Sequence, residues 1–191
     1  MKTLYLGTDP SHYETENELV HYPVIKIIPQ AFKIPHFTHI VFTSKNAVKV
    51  FGEYDFSNKT VIAIGKVTAK YLKDCIVAKE ETQEGLITLF KTMEMKNAHV
   101  LFPRSSLSRP VLIEYFKKEK IAFETIDLYD TEFQKPEPIP DLNTFDEIVF
   151  TSPSTVDAFF KIFSSIPGHI KIISIGPVTE LKLTERNAII F

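Results

Sequence analysis

The chain has 191 residues, 44% of them hydrophobic and 24% charged, a composition typical of a folded globular protein. A formal net charge of −2 argues against nucleic acids and membrane surfaces as partners, since both usually require a basic face. The single cysteine excludes an internal disulfide and favours a reducing compartment. No apolar run approaches the roughly 20 residues of a spanning helix. We therefore expect a cytoplasmic protein.

Short apolar runs alternate with segments of helical periodicity along most of the chain. Strands are predicted at 3–7, 24–28, 40–43, 60–64, 76–78, 98–102, 122–129, 147–151, 171–175 and 188–191. Helices are predicted at 45–54, 67–73, 84–95, 110–119, 154–163 and 178–185, with a short or irregular helix within 12–20. This alternation indicates βαβ units and a parallel sheet.

Two proline-bearing stretches interrupt the alternation, because proline removes a backbone donor and breaks helices. The later stretch separates off three predicted strands, fewer than the four to six or so that are usual in an open sheet. We expect the two N-terminal strands to complete that sheet. The predicted domains are 1–27 with 137–191, and an inserted domain at 36–128, joined by hinge linkers at 28–35 and 129–136.

One strand–turn–helix unit occurs twice in the chain. Residues 40–44 and 148–152 both read Ile-Val-Phe-Thr-Ser, and apolar residues at helical spacing follow each copy. A second similar pair, 61–68 and 172–179, lies downstream at nearly the same offset. Two features repeated in the same order indicate a duplicated domain, because the period is far too long for a solenoid.

Turns that follow predicted strands carry the candidate binding groups. They lie at 43–44, 65–66, 103–106, 151–152 and 176–177, and Arg109 follows the third of them. In open parallel sheets ligands bind beyond the carboxyl ends of strands, where helix N-termini offer free N–H groups. Such groups, with hydroxyls and a few cations, suit a ligand bearing several carboxylates or phosphates. The alternative is that each turn only caps its helix.

Standard cofactor motifs are absent from the sequence. It has no glycine-rich dinucleotide or phosphate loop, and its six histidines show no metal-ligand spacing. We therefore predict no metal or organic cofactor. Tyr129 stands where the inserted domain meets the second linker, and its phenol is able to donate a proton in a cleft between the domains. The alternative for Tyr129 is an aromatic plug at a domain edge.

Taken together, these segments resemble the uroporphyrinogen-III synthase family. The resemblance is carried, in the family's order, by FTSKNAV at 42–48, AIGKVTA at 63–69, LYDT at 128–131, FTSPS at 150–154 and IGPVT at 175–179. It implies two doubly wound, flavodoxin-like α/β domains joined by a two-stranded linker, with one domain discontinuous.

The resemblance also implies a reaction. Linear hydroxymethylbilane is cyclised to uroporphyrinogen III with loss of water and inversion of ring D, in haem biosynthesis and without a cofactor. The substrate's pyrrole nitrogens help expel the hydroxyl, and the resulting azafulvene-type cation is attacked by ring D to give a spiro intermediate that fragments and recloses. The protein then acts mainly by holding the substrate folded. The implied enzyme is a monomer that receives hydroxymethylbilane, by possible handover, from hydroxymethylbilane synthase.

Candidate residues follow position by position. Tyr129 matches the family's linker tyrosine and is implied to assist departure of the hydroxyl. The candidate substrate-binding residues, from the turns and the resemblance together, are Thr43, Ser44, Gly65, Lys66, Thr68, Arg104, Ser105, Arg109, Thr151, Ser152, Gly176 and Thr179. Asp9 stands where the family often has an arginine before the proline. That missing cation leaves open an alternative function, a non-catalytic two-domain module that binds an anionic metabolite or a tetrapyrrole.

Overall fold

The computed structural model describes residues 1–186, and the chain divides into two compact units. Unit 1 comprises Met1–Ile27 and the chain from Thr131 onwards, and unit 2 comprises Ile28–Asp130. The domain and linker limits inferred from the sequence stay a prediction. The strand predicted at 188–191 lies outside the described residues.

The elements of the described chain follow in order. The strands are β1 (Lys2–Tyr5), β2 (Glu18–His21), β3 (Ile25–Pro29), β4 (His39–Phe42), β5 (Thr60–Ala63), β6 (Ile76–Val77), β7 (His99–Ser105), β8 (Ala122–Phe133), β9 (Glu147–Phe150) and β10 (Lys171–Ser174). The α-helices are α1 (Lys45–Phe51), α2 (Lys66–Ala69), α3 (Gln83–Phe90), α4 (Val111–Lys118), α5 (Pro153–Ile162) and α6 (Pro177–Glu185).

Unit 1 is built on a four-stranded sheet of order β10-β9-β1-β2, in which all the pairs are parallel. The inner strand β9 is buried at every position, as expected for a parallel strand covered on both faces. Phe150 packs edge-on against Phe159 of α5, and both side chains are fully buried with Leu4 and Ile148 in one core. The repeated apolar run therefore forms the centre of this unit.

Unit 2 carries most of a six-stranded sheet of order β3-β8-β7-β4-β5-β6. The pairs from β8 through to β6 are parallel, and α3 and α4 pack beside each other. Its core contains Val41, Phe90, Phe102 and Phe116. The earlier copy of the repeat thus forms an inner strand, β4, just as the later copy forms β9. The predicted α/β class with parallel sheets is confirmed.

The short helix predicted within 12–20 is wrong, because this segment ends in strand β2, which pairs with β1. A buried carboxylate explains the difference. The amide of Asn17 donates to Glu147 at 2.9 Å and to the Thr3 hydroxyl at 3.0 Å, and Lys171 reaches the same carboxylate at 3.0 Å. These bonds to distant strands hold the segment extended.

Two further elements differ from the sequence-based bounds. The helix predicted at 67–73 is limited to the four residues of α2, and β8 continues four residues beyond Tyr129 to Phe133. This continuation lies beside β3, where the backbone N–H of Gln30 donates to the carbonyl of Leu128 at 2.8 Å. Across residues 1–186, no helix has the length and apolar character needed to cross a membrane.

Candidate active site

Three turns of unit 2 lie side by side at one edge of its sheet. Strands β7, β4 and β5 are neighbours and run parallel, so their carboxyl ends meet at the same edge. That edge carries Ser105 at the end of β7, Thr43 and Ser44 after β4, and Gly65 with Lys66 after β5. The structure therefore brings these predicted binding residues together.

Ser44 caps helix α1 and contacts a second group as well. Its backbone is extended, and its Oγ accepts a hydrogen bond from the N–H of Ala47 at 3.0 Å. The same Oγ lies 2.8 Å from the phenol oxygen of Tyr129. Thr43 precedes this cap and is half-buried.

Tyr129 lies in β8 with only 4% of its surface exposed. Its phenol is hydrogen bonded to Ser44 and Ser105, while its backbone carbonyl accepts the N–H of Ser106 at 3.2 Å. Burial raises the pKa of the Tyr129 phenol, and the hydrogen bonds from the two serines oppose that rise. The phenol is thus fixed in place, and it stays protonated at neutral pH.

Arg104 is engaged by its own unit. Its Nε donates to Asp127 at 2.8 Å and one terminal nitrogen donates to the carbonyl of Ser108 at 3.3 Å. The charge of the guanidinium is therefore balanced by Asp127, and the second bond holds the turn after β7.

Arg109 is also paired with a carboxylate. Its two terminal nitrogens donate to the two oxygens of Glu84 at 2.7 and 2.9 Å, a bidentate geometry. This pairing lowers the pKa of Glu84 and raises the pKa of Arg109. The predicted role of both arginines as free cations for a ligand finds no support in these contacts.

A third carboxylate covers the turn after β5. The backbone N–H of Lys66 donates to Glu81 at 3.0 Å. A Cβ on Gly65 would collide with that same carboxylate, so only glycine allows this close approach. Thr68, in the short helix that follows, is 4% exposed and packs within the unit. The side chain of Lys66 is exposed.

The carboxyl edge of the unit 1 sheet carries the remaining candidates. Strands β10, β9 and β1 are neighbours, so the turns at Gly176 and at Thr151–Ser152 lie beside each other. Ser152 caps α5 by accepting the N–H of Thr155 at 3.3 Å. Thr155 completes a capping box, since its Oγ1 accepts the N–H groups of Thr151 and Ser152 and donates to the Ser152 carbonyl.

The Gly176 turn opens helix α6. Gly176 has a φ of +86°, a conformation that favours glycine, and the cap has no side-chain hydrogen bond. Thr179 is 2% exposed, and its hydroxyl donates to the carbonyl of Ile175 at 3.1 Å. The Thr179 hydroxyl therefore supports the helix start.

Sequence reasoning missed two residues of these edges. Thr155 could have been found from the serine three positions before it, the spacing of a capping box. His21 ends β2 and lies on the carboxyl edge of unit 1, where its Nε2 contacts the carbonyl of Gly7 at 2.7 Å. Its segment was expected to be helical, so no local signal pointed to that position.

Comparison with known proteins identifies the family. A family model described as Uroporphyrinogen-III synthase HemD matches residues 14–188. The chain belongs to the uroporphyrinogen-III synthase family. The predicted family and enzyme class, a cyclising lyase of porphyrin biosynthesis, are thereby confirmed.

Individual relatives of this uroporphyrinogen-III synthase family chain agree. Uroporphyrinogen-III synthase of Chlorobaculum parvum is 28% identical, over 94% of this chain and 87% of that protein. Porphyrin biosynthesis protein HemD of Ruminiclostridium josui is 26% identical over 78% of this chain, which spans about a third (35%) of that longer protein. The crystal structure of uroporphyrinogen-III synthetase from Helicobacter pylori matches with a TM-score of 0.65 at 20% identity, covering 100% of this chain and 91% of that one.

The candidate site also bears on cofactors. Within the described part of the chain, no group of three or more histidine, cysteine, aspartate or glutamate side chains is placed to hold a metal ion. The catalytic and substrate-binding assignments of individual residues stay predictions.

Proposed function

We propose that this protein converts linear hydroxymethylbilane, a small tetrapyrrole, to uroporphyrinogen III with loss of water and inversion of ring D. The observation that carries the proposal is the family match over residues 14–188. A phenol held between two serines in unit 2 supports it, since the reaction must lose a hydroxyl that departs more readily as water.

Tyr129 is the proposed source of the proton for that departing hydroxyl. Burial raises the pKa of its phenol, so the group remains protonated, and the adjacent serine hydroxyls stabilise negative charge when the proton leaves. The electron pair of the breaking carbon–oxygen bond leaves with the hydroxyl as water, while a pyrrole nitrogen of the substrate stabilises the cation that remains.

The substrate's carboxylates are proposed to bind at the carboxyl edges of the two sheets. On unit 2 the proposed contacts are the exposed Lys66 side chain and the hydroxyls of Thr43 and Ser44. On unit 1 the N-terminus of α6 is favoured, because Gly176 leaves it without a side-chain cap, whereas the N-terminus of α5 is satisfied by its capping box.

The isomer assay tests the proposed function. Freshly prepared hydroxymethylbilane is incubated with the protein, and the oxidised products are separated as type I and type III isomers. The type III isomer is expected, whereas type I alone, the product of unassisted closure, would overturn the proposal. Binding of uroporphyrinogen III without turnover would favour the alternative of a non-catalytic binding module.

We further propose a monomer in the cytoplasm that takes its substrate by handover from hydroxymethylbilane synthase. Light scattering of the purified protein checks the mass, and cell fractionation checks the location. Handover predicts a larger type III fraction when the two proteins are mixed than when preformed hydroxymethylbilane is added.

A further inference from the structure

The phenol of Tyr129 belongs to a chain of hydroxyl groups anchored at both ends by backbone amides. The Ser44 Oγ accepts the N–H of Ala47 at 3.0 Å, and the Ser105 Oγ accepts the N–H of Leu107 at 3.2 Å. Both serines also hydrogen bond to the phenol oxygen. Each serine hydroxyl therefore has one acceptor position occupied by the backbone before the phenol is considered.

Counting protons limits how this chain is arranged. The phenol carries one proton, so it donates to one serine at most and must accept from the other. If Ser105 donates to Tyr129 and Tyr129 donates to Ser44, the Ser44 oxygen accepts two hydrogen bonds. Its own O–H proton is then directed to a group outside the chain.

The position of Ser44 favours it as the outer end. Tyr129 is 4% exposed, whereas Ser44 is only half-buried. Ser44 follows β4, which lies between β7 and β5, so its turn is flanked by the Ser105 turn and by Gly65–Lys66. A ligand on this edge therefore meets the Ser44 hydroxyl before it meets the phenol.

We infer that Ser44 is the residue that hands a proton to the departing hydroxyl of the substrate, and that Tyr129 replaces that proton from behind. This inference rests on the proposed function. As the carbon–oxygen bond breaks, its electron pair leaves with the hydroxyl, which takes the Ser44 proton and departs as water. The phenol proton moves to Ser44, and the phenolate accepts hydrogen bonds from both serines. The proton that the substrate releases on ring closure restores the phenol.

The test separates proton delivery from helix capping. Ser44→Ala removes the relay and also an N-cap bond of 3.0 Å, while Thr82→Ala removes a cap bond of equal length to Gly85 on α3 of the same unit. Both variants should show a similar fall in Tm. Only Ser44→Ala should lower kcat, by about 100-fold, with KM little changed. Ser44→Thr keeps the hydroxyl and should restore much of kcat.

A second readout follows the protons themselves. In mixtures of light and heavy water, the rate of the unmodified protein should indicate two protons in motion and that of Tyr129→Phe one. If Ser44→Ala loses Tm as Thr82→Ala does and keeps its kcat, Ser44 is only a cap and the inference is wrong. A greater loss of kcat in Ser105→Ala than in Ser44→Ala would contradict the direction of the relay.

The isomer assay on the unmodified protein distinguishes the two failures. Without type III product the proposed function itself is wrong, and the relay is rejected with it. With type III product and an unchanged kcat in Ser44→Ala, the function stands and the relay alone is rejected.

Discussion

The two copies of the Thr-Ser turn have the same backbone and different hydrogen-bond partners. Ser44 and Ser152 both adopt an extended conformation, and each accepts the N–H of the residue three positions later. At that later position the first copy has Ala47 and the second has Thr155, and both side chains are fully buried. One substituted side chain thus distinguishes two otherwise equivalent turns.

The substitution changes what the cap serine can do. In the second copy Thr155 bonds both N–H groups of the turn and its carbonyl, so the turn satisfies itself. In the first copy Ala47 offers no hydroxyl, and Ser44 is bonded instead to Tyr129, which is 85 positions away in sequence. A duplicated structural unit has therefore kept its scaffold in both copies while only one copy contacts the candidate catalytic tyrosine.

Removing that contact should have the largest effect. Tyr129→Phe keeps the ring in its buried place and removes the proton, so kcat should fall by about 100-fold in the isomer assay. Far-ultraviolet circular dichroism should show an unchanged fold. A variant that keeps its kcat would show that the first copy is no more chemical than the second.

The residues that open the two strands give the next effect. Glu147 opens β9, is 6% exposed and accepts from Thr3, Asn17 and Lys171. Glu147→Ala leaves buried donors without an acceptor and should lower the free energy of unfolding by about 2 kcal/mol in urea denaturation. Glu147→Gln, which keeps an acceptor oxygen, serves as the control and should lose less. Equal losses would assign the effect to packing.

Removing the capping box should cost less. Thr155→Ala makes the second copy like the first and leaves two turn N–H groups without their partner. We expect a loss of about 1 kcal/mol, measured by urea denaturation. The comparison would be contradicted by an unchanged stability, since Thr155 would then add nothing that Ala47 lacks.

The smallest effect concerns pH and the opening residue of the first copy. Burial lowers the pKa of His39 in β4, so the unfolded chain takes up the proton at a higher pH than the folded one. Stability should therefore fall as the pH drops from the ordinary histidine range to the lowered value in the folded state. His39→Asn should reduce this slope in thermal melts. An identical slope would show that other groups cause it.

Much of the fold could be predicted because its signals are local. Apolar β-branched runs, a hydroxyl cap and helical spacing lie within about a dozen residues of one another in each copy, and the model has strand, cap and helix there. The difference between Ala47 and Thr155 was also readable by aligning the copies. Its consequence was not readable, because it depends on which distant side chain fills the vacant hydrogen-bonding position.

The failed predictions share that dependence on distant partners. Arg104 and Arg109 were expected to face a ligand, but Asp127 and Glu84, separated from them by 23 and 25 positions, neutralise them. The segment before β2 was expected to be helical, but Asn17 is bonded to Glu147, 130 positions away. Such contacts exist only once the sheets have formed.

The kcat values of Ser44→Ala and Ser152→Ala, compared in the same isomer assay, test the central claim most directly. The two changes remove equivalent helix caps from the two copies. The account predicts a kcat about 100-fold lower for Ser44→Ala than for Ser152→Ala, whose effect should fall on KM and Tm instead. Equal kcat values for the two variants would contradict it.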